Sequence, residues 1–233
     1  VYLNMQTLII GDVHGCAREL SDLLNKAHFS PSRDRLLLTG DAFSRGPDQL
    51  GVWHLINAHG AEMVLGNHDA RLRQQLDDIS ETNSPSRTKP DQRFTLHALE
   101  SIHSILRTWL YRVPLYIEED RFLLVHAGIN PEHGLANTRF EEFITIRTWP
   151  PVKGSIDGPR WHDVYEPVHP LLIFGHDAPG GLVTKRRDGK PYLLGLDTGC
   201  VYGRALTGYL LEEERLISTA SRQDPEAWKT RGC

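Results

Sequence analysis

Cysteine is scarce in this chain. Cys16, Cys200 and Cys233 are the only three in 233 residues, too few and too scattered for a disulfide framework. A reducing compartment, the cytoplasm, is the expectation. No apolar run approaches the roughly 20 residues that span a bilayer. No basic segment followed by a long apolar stretch marks a secretory leader either, so no membrane attachment is expected. Positive charge is not in excess: 26 Lys and Arg stand against 30 Asp and Glu, a formal net charge of −4. That argues against a nucleic-acid-binding surface. A polyanionic substrate would need a local cluster of positive charge, or metal ions.

What is present is a regular alternation. Apolar runs at 7–10, 36–39 and 63–65 read as buried strands, and helices are expected at 15–27, 48–59 and 68–78. In the first helix Leu20, Leu23, Leu24 and Ala27 fall on one face. Strand–helix alternation of this kind predicts an α/β layered fold. Residues 80–93, polar and with two prolines, read as a loop carrying Arg87, Lys89 and Arg93. A helix is expected at 94–111 and strands at 113–117, 121–125, 171–174, 192–196 and 206–212, with 187–189 as a turn and 150–170 irregular. The chain is expected to form one domain over 1–218, with a surface tail at 219–233.

One pattern recurs five times: an apolar strand ends and a metal-capable residue follows at once. "TLIIGDVHG" supplies Asp12 and His14, "LLLTGDAFSRG" Asp41, "MVLGNHD" Asn67 and His68, "FLLVHAG" His126 and "LLIFGH" His176. Sites in open α/β sheets form beyond the carboxyl ends of strands, so five such ends would deliver these side chains to one pocket. Carboxylate, amide oxygen and imidazole suit manganese, iron or zinc. Seven candidate groups exceed the needs of one four-coordinate ion. A dinuclear site, with ions about 3.5–4 Å apart clamping a phosphoryl group, fits better. The glycines beside these residues would let sharp turns form near a bulky anion.

In this order, "GDVHG", "GDAFSRG", "GNHD", "HAG" and "GH" resemble the phosphoprotein phosphatase (PPP) branch of the calcineurin-like metallophosphoesterases, from about residue 7 to 211. Within that branch the chain is most similar to the bacterial symmetrical bis(5′-nucleosyl)-tetraphosphatases, through "FSPSRDRLLLTGDAFSRGPD", "VHAGINP" and "LDTGCVYGRALTGYLLEE". The final "GHD" lacks the second histidine of the Gly-His-x-His pattern, and the stretch from His126 to His176 is shorter than in those enzymes.

The resemblance implies a sandwich of two mixed β-sheets flanked by helices and two divalent ions, manganese first, with iron, zinc or cobalt as alternatives. Asp12, His14 and Asp41 would hold one ion, and Asp41, Asn67, His126 and His176 the other, with Asp41 as the bridge. Attack on phosphorus would come from a hydroxide between the ions. His68 would be the general acid. Arg45 and Arg147 would bind phosphate oxygens, with Arg160 competing for the second role, and Tyr202 would line the substrate cleft. Trp149 and Trp161 are candidate platforms for a base. The implied substrate is a dinucleoside polyphosphate. A phosphoprotein, a broad range of phosphomonoesters, or a regulatory module with poor catalysis are the alternatives.

Ser44 departs from the protein-phosphatase pattern Gly-Asp-x-x-Asp-Arg-Gly, in which the second Asp hydrogen-bonds the catalytic histidine. The expectation is that Ser44 accepts a hydrogen bond from His68 without adding charge, which favours nucleotide substrates with good leaving groups.

Overall fold

The structure, a computed structural model, describes residues 5–85, 88–152 and 155–225. Arg87 therefore lies outside the described residues, as does the end of the expected tail. The strands are β1 (Thr7–Ile10), β2 (Arg35–Leu38), β3 (Glu62–Met63), β4 (Tyr116–Glu119), β5 (Phe122–Val125), β6 (Leu172–Phe174), β7 (Val183–Arg187), β8 (Lys190–Gly195), β9 (Ala205–Leu210) and β10 (Arg215–Ala220). The helices are α1 (Ala17–Lys26), α2 (Gln49–His59), α3 (Asn67–Thr82), α4 (Pro90–Ala98), α5 (His103–Leu110) and α6 (Phe140–Thr145).

Two five-stranded sheets form, in the orders β10-β9-β1-β2-β3 and β4-β5-β6-β8-β7. Both are mixed. β1, β2 and β3 run parallel in one, and β5, β6 and β8 run parallel in the other, with antiparallel partners at the margins. The α/β layering is the one expected from the alternation of elements, and the pairing of two mixed sheets is the one the resemblance implies.

Strand periodicity explains the layers, because successive side chains point to opposite faces. Ile9, Leu37, Leu124 and Ile173 belong to the cluster between the sheets. Their neighbours Leu8, Ile10, Leu36 and Leu38 turn outward onto Leu20, Leu23 and Leu24 of α1 and Val52 and Ile56 of α2. On the far side, Leu123, Val125, Leu172 and Phe174 pack with Phe143 and Ile144 of α6 and with Trp161. Burial of each large side chain contributes about 1.5–3 kcal/mol.

Several boundaries differ from expectation. α3 runs on to Thr82, where Asn83 at φ 56° stops it, and α4 starts at Pro90, whose fixed φ suits a first turn. The expected helix at 94–111 breaks at a 3-10 turn, Glu100–Ile102, with His103 Nε2 bonded to the Leu96 carbonyl at 2.8 Å across the break. The turn at 187–189 joins β7 to β8, with Asp188 and Gly189 both left-handed, at φ 51° and 79°. β10 continues to Ala220, and beyond it the Arg222 backbone and the Gln223 amide donate to Glu19. Trp161 is buried, and Trp149 is partly buried with its Nε1 donating to Glu132 at 2.8 Å, so both are packing residues and neither is an open base platform. Trp109 packs edge-on against Trp53 with ring centroids 5.6 Å apart.

Candidate metal centre

The carboxyl ends of the parallel strands converge. Asp12, His14 and Asp41 bring one ligand atom each into a group within 4.8 Å, and so do Asp41, His126 and His176. Asp41 belongs to both. Its Oδ2 lies 3.6 Å from Nε2 of His14 and 3.6 Å from Nε2 of His126. Nε2 of His126 is in turn 3.2 Å from Oδ1 of Asn67.

Hydrogen bonding decides what these atoms can accept. Nδ1 of His126 donates to the Thr39 carbonyl at 2.8 Å, which puts the ring proton there and leaves Nε2 a lone pair. That lone pair faces two further acceptors, Asp41 Oδ2 and Asn67 Oδ1. Nε2 of His176 is buried with no hydrogen-bond partner among the described residues. Buried acceptors without donors are costly. A hard divalent cation among them removes that cost, and this set of oxygens and imidazoles suits one.

Exclusion of water shapes the electrostatics. Burial pushes Asp41 up to about 7 and Asp197 up to about 6. It also raises Asp12, with the Asp197 and Asp41 carboxylates adding to the effect. The same burial lowers His126 to about 4 and holds His14 and His176 well below the ordinary imidazole range. Carboxylates and neutral imidazoles packed this way form a centre short of positive charge.

The backbone around it is strained and tied down. His14, Asp41, Arg45 and His176 are all left-handed, at φ 47°, 53°, 70° and 66°. Strain of this kind persists only where surrounding bonds over-determine it. Asp69 is one such tie: its carboxylate accepts from the amides of Asp41 (2.6 Å), Ala42 (3.2 Å) and Gly66 (3.3 Å). Asp12 is another, accepting from Thr39 Oγ1 at 2.8 Å and from the His176 amide at 3.0 Å, so it links the ends of β1, β2 and β6. Gly66 and Gly175 are required by close approach. A Cβ on Gly66 would overlap the Asp41 carboxylate, and one on Gly175 would overlap Asp12 and sit 2.6 Å from Thr39 Oγ1.

Ser44 corrects an expectation. Its Oγ lies 2.8 Å from Nδ1 of His14, not against His68. The reason is the path of the loop. The His14 amide donates to the Asp41 carbonyl at 2.9 Å and Gly15 to Ala42 at 2.8 Å, zipping the two loops together. The left-handed turns at Asp41 and Arg45 then carry Ser44 back onto His14. The hydroxyl fixes the His14 ring with Nε2 towards Asp41.

The remaining candidates sit around this centre. The His68 ring meets His14 edge-on at 5.2 Å, and its backbone amide donates to Asp41 Oδ1 at 2.8 Å. Burial lowers His68 well below its ordinary range, with the Arg45 charge the next cause. Arg45 donates to the Tyr202 hydroxyl, and its guanidinium lies 5.6 Å from that ring. Arg147 donates to the His176 carbonyl at 3.0 Å, and its charge is felt at Asp41, His68, His126 and His176. Both arginines face Asp177, Arg147 at 3.7 Å and Arg160 at 2.8 Å, and Arg160 also donates to the Ile156 carbonyl. Of the two, Arg147 is the arginine beside the cluster.

Three acids escaped the sequence reading. Asp197 follows β8 in "LLGLDTG", the same strand-end signature as the other five, and it completes the sixth parallel strand end. Asp69 and Asp177 each stand directly after a motif histidine, at Asn67-His68-Asp69 and at His176-Asp177. They act on backbone amides and arginines, a role that residue type alone does not reveal.

Residues 5–207 match the model of the calcineurin-like phosphoesterases. The chain belongs to that family. A symmetrical bis(5′-nucleosyl)-tetraphosphatase of Edwardsiella ictaluri is 32% identical over 281 aligned residues, spanning 94% of this chain and 97% of the relative. The enzyme of the same name from Photorhabdus laumondii is 41% identical over 140 residues, 58% of this chain and 48% of that one. A solved structure of a candidate diadenosine tetraphosphatase superposes on this phosphoesterase with a TM-score of 0.77 at 28% identity, covering 96% of each chain. A serine/threonine protein phosphatase of Saccharomyces cerevisiae shares the fold alone, with a TM-score of 0.54 at 15% identity over 95% of this chain and 81% of that one. Membership makes the chain a hydrolase of a family that works with divalent metal ions.

Proposed function

We propose that this phosphoesterase splits dinucleoside tetraphosphates symmetrically, diadenosine tetraphosphate and water giving two ADP. The observation that carries the substrate is the end-to-end likeness to the Edwardsiella ictaluri tetraphosphatase. Asp12, His14 and Asp41 would hold one divalent ion and Asp41, Asn67, His126 and His176 a second, with manganese first among the metals this donor set suits. When bound, two such ions supply Lewis acidity toward phosphoryl oxygens and acidify water for attack.

The chain's own groups do the rest. Arg45, held by Tyr202, and Arg147, held by the His176 carbonyl, present guanidinium forks to phosphate oxygens. They fix one of the two central phosphorus atoms for in-line attack. Water adds there, the bond from that phosphorus to the oxygen shared with the other central phosphate breaks, and each half leaves as ADP. His68, kept neutral by burial, offers a ring N–H to the departing oxygen as a hydrogen bond. The ADP leaving group is stable as an anion and asks little of that proton.

The test is a product analysis with diadenosine tetraphosphate and manganese. ADP as the only nucleotide product is the expected outcome. AMP together with ATP, or no nucleotide turnover beside release of phosphate from a phosphopeptide, would overturn the reading.

A further inference from the structure

The metal centre accounts for Arg45, but not for what lies on the other side of it. A cavity of about 340 Å³ opens between Arg45 and the first turns of α4, lined by Arg45, Pro90, Asp91 and Phe94. Its size falls in the range of about 300–1,000 Å³ that small-molecule sites occupy. The lining is mostly apolar, and Phe94 is left 49% exposed beside it. Asp91 adds one polar feature: its Oδ1 is buried with no hydrogen-bond partner among the described residues. Buried acceptors of this kind call for a donor.

Arg45 joins this cavity to the reaction. Its charge is felt at His14, Asp41 and His68, and Lys89, one residue before Pro90, is also felt at His68. A molecule whose phosphate reaches the metal centre past Arg45 therefore places its next group against α4. That group must be flat and apolar on its faces to use Phe94, and must carry a neutral N–H on its edge to use Asp91. A phosphate would be repelled by Asp91, and an alkyl chain would leave it unsatisfied.

We propose that this cavity is the subsite for one nucleobase of the substrate, with the base stacked on Phe94 and an edge amino or ring N–H donating to Asp91. It deepens the tetraphosphatase reading and rests on it. Phe94 replaces the tryptophans expected as platforms, and base–aromatic stacking tolerates any base because every base has a π-face. The carboxylate then favours bases that present a donor.

Calorimetric titration of the manganese-loaded protein with ADP and with pyrophosphate tests this without relying on turnover. ADP is expected to bind about tenfold or more tighter than pyrophosphate, the scale of one base–aromatic stack. Phe94→Ala should remove most of that advantage and leave pyrophosphate affinity unchanged. Asp91→Ala should weaken ADP and leave pyrophosphate unchanged or tighter, because a negative charge is gone. Equal affinity for ADP and pyrophosphate, or an ADP advantage that survives Phe94→Ala, would overturn the proposal. So would a phosphoserine peptide that binds tighter than ADP and depends on Phe94. The two readings fail separately. An ADP advantage that depends on Phe94, in a protein that leaves diadenosine tetraphosphate intact, keeps the base subsite and removes the tetraphosphatase. Symmetrical cleavage without that dependence does the reverse.

Discussion

Asp41 offers Oδ2 to two histidines and Oδ1 to the His68 amide, so one side chain orders both halves of the centre. Its place among five polar strand ends was legible in the sequence, whereas the bridging role came only with the resemblance to the metallophosphoesterases. Ser44 was legible only as an oddity. Which histidine it meets depends on left-handed turns at Asp41 and Arg45, and no residue type at 41 or 45 announces them. The contact with His14 changes the expected consequence of mutation. Outer-shell hydrogen bonds to a ligating histidine typically govern metal affinity by about 10–100-fold. Ser44→Ala should therefore weaken manganese binding by about tenfold or more in a metal titration. The dependence of rate on leaving-group pKa should stay as in the wild type. A steeper dependence with unchanged metal affinity would return Ser44 to His68.

Among the elements, the parallel strand centres were readable and the margins were not. After a polar first residue in β1 and β2, the strands β1, β2 and β5 are continuous apolar runs because both of their faces are covered, and their ends could be placed within a residue or two. β7, "VTKRR", and β10, "RLISTA", carry exposed charged and polar residues, and the sequence reading placed no strand at either. Edge strands carry charge to discourage pairing with other chains, which erases their pattern. The junction of β6 with the centre leaves little room for change. Gly175→Ala would press a Cβ into Asp12 and Thr39 Oγ1, both fixed by further bonds. Overpacking of this kind costs about 1–3 kcal/mol. The expected result is a lower urea midpoint together with weaker metal binding. A glycine needed only for loop freedom would lose neither, because Gly175 has no left-handed φ.

For the whole molecule, two features set behaviour beyond the site. The first is length. The Edwardsiella ictaluri relative aligns over 281 positions where this chain has 233 residues, so that relative carries internal segments this chain lacks. The second is pH. His162 packs against Trp161 and Phe174, with ring centroids 5.7 Å and 5.5 Å away, and burial lowers it to about 4. An unfolded histidine titrates near 6.5. Between those values the unfolded chain binds a proton that the folded one refuses, so stability falls as pH drops from about 6.5 to 4 and levels off below. In urea unfolding of the metal-loaded protein, wild type should lose about 1–3 kcal/mol across that window from this residue. His162→Gln should show a correspondingly shallower slope. Parallel slopes would mean that His162 takes up its proton in the folded state.

In the proposed function one carboxylate, Asp41, would join two divalent ions. Electron paramagnetic resonance of the manganese-loaded protein, at a stoichiometry fixed by elemental analysis, tests it most directly. Two manganese ions per chain with the spectrum of an exchange-coupled pair are expected, and Asp41→Asn should abolish the coupling. One ion per chain, or two ions with the spectrum of isolated manganese, would contradict it.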